Sequence, residues 1–247
     1  MQATLPGRAA RSILFGAEAL AAALSPSTYT APVRALAARQ LCATAWEVLP
    51  GFVVFCAALA ALVIRVIDST ARDFGLSGYS LDLYARLLVL ELIPLFVALF
   101  VSVRSGAALG TEVALLRVGG VLDQGNDPLR AELLPRGIGV AAAVLALTAV
   151  GCLVALVVAY VGLYGFSPWG HGAYARAIGQ AFAPAVLAGF ALKVAFFAVA
   201  VATVPVAASV GGSREMRSVP DAAPRGLVGV FVVLALVEGA SIALQYA

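Results

Sequence analysis

An all-α fold embedded in a membrane, with five transmembrane helices preceded by a helix lying in the interface, is predicted by three properties of this 247-residue chain. Hydrophobic residues make up 62% of it, charged ones only 12%, and the mean hydropathy is +1.01, so polar surface is too scarce to coat a soluble globule. Apolar windows of about 20 residues, the length that crosses a bilayer, recur along the sequence. Arginines gather at the boundaries of those windows.

Residues 1–45 read as an N-terminal cytoplasmic and interfacial segment, and 46–247 as one five-span domain. Ile13–Leu24 is apolar but too short to cross. With Arg8 and Arg11 before it and Ser25-Pro26 after it, it fits a helix in the interface. A signal peptide is the competing view, disfavoured because the chain continues through Pro32, Arg34 and Arg39 into Trp46 and a full span. Spans are expected at Trp46–Ile67, Leu81–Val103, Gly137–Gly165, Ala181–Ser209 and Gly226–Tyr246. Basic residues collect in cytoplasmic loops. With the N-terminus inside, eleven arginines fall on inside segments and four (Arg65, Arg72, Arg86, Arg176) outside, which puts the C-terminus on the far side. These boundary arginines account for the net charge of +3 without any nucleic-acid partner.

Ionisable side chains inside the spans are the first functional candidates. A charge near the bilayer centre costs roughly 2.5–3.5 kcal/mol on insertion scales unless it is paired or hydrated. Glu91 sits in the second span, Lys193 in the fourth and Glu238 in the fifth, and Lys193 is the only lysine of the chain. At similar depth they can neutralise one another, either as a packing ion pair or as the polar lining for a charged or zwitterionic substrate. Pro94, three residues after Glu91, removes a backbone donor and frees carbonyls that need a neighbouring helix or water. The second span is therefore expected to bend there.

Other chemistry is thinly represented. Cys42, Cys56 and Cys152 do not form a disulfide framework, and His171, the lone histidine, stands in the loop Ser167-Pro168-Trp169-Gly170-His171, where it reads as an interfacial residue. No glycine-rich phosphate loop with its lysine and no Ser/His/Asp or Cys/His constellation occurs, so no cofactor, metal or catalytic residue is expected and any ATP must be bound by another chain. A proton-driven secondary transporter would use the same in-span charges, but no internal repeat is seen. For a lipid enzyme, Asp68, Asp73 and Asp82 are too scattered.

From Glu91 onward six blocks follow in order: Glu91-Leu92-Ile93-Pro94, Arg104-Ser105-Gly106-Ala107-Ala108, Thr111-Glu112-Val113-Ala114, Leu116-Arg117-Val118, Asn126-Asp127-Pro128 and Pro135-Arg136. Gly106 and Gly110 form a small-xxx-small pair that lets helices approach closely. Gly119 to Pro128 is turn chemistry. Together the blocks resemble the MlaE permease family, the membrane subunits of ABC transporters that move phospholipids between bacterial membranes.

The resemblance implies a five-span permease in the bacterial inner membrane, N-terminus cytoplasmic and C-terminus periplasmic, that is not itself an enzyme. It implies an ABC ATPase subunit, an MCE-domain lipid-binding protein and a second permease copy as partners, with phospholipid as substrate. Glu91, Pro94, Lys193 and Glu238 would line the substrate cavity. Arg104, Glu112, Arg117, Asp127, Pro128 and Arg136 would belong to a cytoplasmic coupling loop, 104–136, that seats in the ATPase. Two departures stand out. Ile93 replaces the glycine of the family's Glu-Leu-Gly-Pro, and by alignment about four residues, roughly one helical turn, are missing between Val118 and Asn126. The shortened coupling helix keeps a second reading open, a membrane scaffold or inactive paralogue of such a permease.

Overall fold

The computed structural model describes residues 31–46, 49–118, 134–210 and 222–246, which are helical apart from short turns and contain no strand. The segment Ile13–Leu24, expected in the interface, lies outside them. A first helix, α1 (Ala31–Ala45), lies against the start of the third span. Gly139 permits that approach, since a Cβ there would stand 2.7 Å from the Ala37 carbonyl and from Gln40 Cβ.

Among the described residues, five helices are long and apolar enough to cross a membrane. The first span is α2 (Leu49–Asp73). The second is one continuous helical rod of changing pitch: α3 (Ser80–Tyr84), a π-helical stretch (Ala85–Leu92), α4 (Ile93–Val101), a second π-helical stretch (Ser102–Gly106) and α5 (Ala107–Val118). The third span is α6 (Leu134–Tyr164). A short helix α7 (His171–Ala181) follows, then α8 (Pro184–Val210) and α9 (Ala222–Tyr246) as the fourth and fifth spans.

The second span differs from its expected end at Val103. The apolar pattern stops near Arg104, but the helix runs on to Val118, because residues 106–113 bury Gly106, Leu109 and Val113 against the bundle. The first part of the expected coupling loop is thus a helical extension of the span. The departure is physical: hydropathy reports where lipid ends, whereas helix continuity follows from intrahelical hydrogen bonds and packing.

Span α6 is the central post, packed by α1, α2, α4 and α8, while α9 lies along α8 and touches the second span. Two tyrosine hydroxyls clasp successive carbonyls of α6: Tyr84 donates to Ala155 O at 2.9 Å and Tyr174 of α7 to Leu156 O at 2.7 Å. Burial, with Tyr164 nearby, pushes the Tyr174 phenol up to about 12, so it serves as a neutral donor. Tyr160 packs within 5.4 Å of the His171 ring and 5.2 Å of Tyr174, which fixes α7 at one end of the bundle. His171 is therefore part of an aromatic cluster.

Candidate functional site

Three in-span charges from three different helices meet. Lys193 of α8 pairs with Glu91 of the second span, to which it donates a hydrogen bond, and lies 2.8 Å from Glu238 Oε2 of α9. The Glu238 contact is an ion pair off the hydrogen-bonding direction. The lysine side chain is 3% exposed, and those of Glu91 and Glu238 are 16% and 14% exposed. The ammonium also makes a long 3.5 Å contact to the Leu90 carbonyl and stands 5.8 Å from the Phe197 ring centroid.

Local sequence explains why Lys193 can be held there. In the π-helical stretch each N–H reaches five residues back, and Ile93 N–H donates to Leu88 O. Pro94, buried at the start of α4, has no N–H to continue the series. Val89 O and Leu90 O, five and four residues back from the proline, therefore lack that donor. Cys152 Sγ meets Val89 O at 3.7 Å, and Lys193 Nζ meets Leu90 O. Pro94 thus contributes through the carbonyls it releases, not through a side chain at the surface.

The Ile93 departure has a structural counterpart on the third span. A Cβ on Gly151 would come within 2.9 Å of Ile93 Cγ2 and 3.5 Å of Phe52 Cζ, so the larger residue of the Glu-Leu-Ile-Pro turn occupies the space a glycine leaves. Gly151→Ala is expected to destabilise the protein by about 1–3 kcal/mol, the usual cost of overpacking. Adding Ile93→Ala should recover part of that loss, a coupling readable in the melting temperature of the detergent-solubilised chain. Additive losses in the double variant would show that the two positions do not share this space.

At the end of the bundle away from α7, Glu112 of α5 forms an ion pair with Arg136 at the start of α6. Arg104 is exposed on the second π-helical stretch, and Arg117 lies in the last turn of α5. Asp127 and Pro128 lie outside the described residues. The scattered acids near α7 are held locally: Asp68 by Arg72 at 2.5 Å and Asp82 by Arg86 at 3.0 Å, both one turn along their own helices.

A second meeting point of the same three helices had not been anticipated from sequence. Pro205 of α8 sits between Gly106 of the second span and Gly226 of α9; a Cβ at Gly106 would lie 3.3 Å from Pro205 Cγ, and one at Gly226 3.1 Å from Pro205 Cα. The visible signals were a proline inside a span and glycines in two others, but nothing in their spacing says that they touch. Glu238 lies five residues before Ala243, the end of its span, and Lys193 nine residues after Pro184, the start of its own, so the charged node belongs to the half of the bundle nearer α7.

Five apolar spans among the described residues, three of them joined by a charged node, define a polytopic membrane protein. The family model Permease MlaE matches residues 37–244, and the chain belongs to the MlaE permease family. No individual curated protein matches it. Membership makes the chain a membrane permease, a transport subunit.

Proposed function

We propose that this chain is the transmembrane subunit of an ABC transporter that moves phospholipids between bacterial membranes, with ATP hydrolysed by a separate subunit. The observation that carries the reading is the node of Lys193, Glu91 and Glu238 in an otherwise apolar bundle of a permease family. A phospholipid needs a mostly apolar path with few charged positions. Leu87, one turn before Glu91, and Ile242, one turn after Glu238, are 48% and 43% exposed, so the carboxylate edges interrupt an apolar face. Two permease copies, related by the two-fold symmetry usual for such assemblies, would enclose these faces.

In this reading the N-terminus is cytoplasmic and the C-terminus periplasmic, as the arginine distribution favours, and an MCE-domain protein receives or delivers lipid at the α7 end. The ATPase docks on Arg117–Arg136. Force from there enters the rod that carries Glu91: α5 is continuous with α4 and the π-helical stretch, and the Glu112–Arg136 pair joins α5 to α6. Arg104, Asp127 and Pro128 belong to the same coupling region.

The test is co-purification with the cognate ATPase, comparing the native chain with one in which Val121 and Leu122 are both replaced by Asp. Binding and ATP turnover should both be lost in the double variant. If the native chain retains no ATPase, or the variant retains it undiminished, the scaffold reading takes the place of this one.

A further inference from the structure

We infer that the charged node recognises a positively charged amine, the ammonium of a phospholipid headgroup such as phosphatidylethanolamine, rather than the phosphate common to all phospholipids. This rests on the permease reading above and narrows its substrate.

Accessibility decides which charge an incoming headgroup meets. Lys193 is the only cation of the node among the described residues, its side chain is 3% exposed, and it is engaged by a directed hydrogen bond to Glu91, an off-axis ion pair with Glu238 and a long contact to the Leu90 carbonyl, with the Phe197 ring beside it. A phosphate would have to displace two carboxylates to reach it. The carboxylates, by contrast, retain 16% and 14% side-chain exposure, and they border the apolar face marked by Leu87 and Ile242.

Charge and hydrogen-bond capacity point the same way. Two carboxyl groups share one ammonium, so oxygen acceptors predominate on the partly exposed side of the node. Glu238 Oε2 is buried and accepts no hydrogen bond among the described residues, its contact with Lys193 being off-axis. A ligand that donates hydrogen bonds and carries a positive charge complements these exposed carboxylate edges, whereas a phosphate, which accepts and is negative, does not. Charge-assisted hydrogen bonds in a water-poor site are the strong ones, and the exposed apolar side chains one turn away offer the acyl chains a surface.

The experiment uses the full chain purified with whatever subunits accompany it, offered equimolar phosphatidylethanolamine and phosphatidylglycerol of identical acyl chains in mixed micelles, with bound lipid read by native mass spectrometry. Phosphatidylethanolamine should exceed phosphatidylglycerol by about tenfold, the scale of one charge-assisted hydrogen bond. N-acetylated phosphatidylethanolamine, which keeps the phosphate and loses the cation, should bind like phosphatidylglycerol. Free ethanolamine should not compete, since it lacks acyl chains; competition by it would show that a soluble amine is the ligand and overturn the lipid assignment. Glu238→Gln, which leaves the Lys193–Glu91 pair in place, should shrink the preference. The lipid comparison on the native chain stands without that variant should it fail to accumulate. Equal binding of the two lipids, or preference for phosphatidylglycerol, overturns the amine inference and leaves the permease reading standing. Retention of no phospholipid at all overturns both.

Discussion

Replacing Lys193 by Met should be the most damaging single change in this protein, costing about 3–5 kcal/mol, because removal of one partner of a buried pair leaves uncompensated charge behind. Among the described residues, Lys193 is the cation that faces two carboxylates of different helices, so both Glu91 and Glu238 lose that counter-charge together. Removing one carboxylate has the opposite character: Glu238→Gln leaves a one-to-one pair of Lys193 with Glu91 and should cost far less. Glu91→Gln should fall between, since Glu91 accepts a directed hydrogen bond from Lys193 whereas Glu238 contributes only an off-axis ion pair. Thermal unfolding of the detergent-solubilised protein ranks the three. A triple variant, Lys193→Met with Glu91→Gln and Glu238→Gln, should recover most of the stability lost by Lys193→Met, because it deletes the charges along with their partner. If Lys193→Met is no worse than Glu238→Gln, the node does not hold the bundle together in the way described.

The second large effect is expected at Gly226. A methyl group there would stand 3.1 Å from Pro205 Cα and 3.3 Å from Pro205 Cβ, and neither atom can swing aside as the end of a flexible side chain could. Gly226→Ala should therefore destabilise by about 1–3 kcal/mol as α8 and α9 are pushed apart, against the gain of about 1 kcal/mol that alanine ordinarily brings to a helix interior. Gly189, in α8 with nothing within 4 Å of a built Cβ, is the control. Gly189→Ala should be neutral or stabilising in the same melting assay. Equal behaviour of the two substitutions would remove the argument for close packing at Pro205. The cost at Gly226 extends beyond local packing. Lys193 and Pro205 lie twelve residues apart on α8, roughly 18 Å at the helical rise, and each joins α8 to the second span and to α9. Opening the lower contact should loosen the geometry of the charged node above it.

The sequence by itself determined the solvent of this protein, the number of its spans and the identity of its charged candidates. Hydropathy works so well here because a bilayer forces every backbone polar group into intrahelical bonds, so that five apolar windows become five helices with little room for alternatives. In-span charge is equally legible: Glu91, Lys193 and Glu238 stand out because each is costly unless matched, and one lysine among them suggested that they would meet. The resemblance carried by the blocks from Glu91 to Arg136 was likewise a property of the sequence alone, and the family model extends it to residues 37–244.

Tertiary structure decided how those residues are arranged. The helix beyond Arg104 continues to Val118 because Leu109 and Val113 find partners on other spans, which no local window can see. Pro94 was legible as a break in hydrogen bonding, but which donors compensate it, Lys193 at Leu90 O and Cys152 at Val89 O, depends on contacts about a hundred and about sixty residues away along the chain. Gly151 opposite Ile93, and Gly106 and Gly226 on either side of Pro205, are unremarkable in an alanine- and glycine-rich sequence. Their meaning arises only when the helices pack, because a missing Cβ has an energetic consequence only where another atom would otherwise have met it.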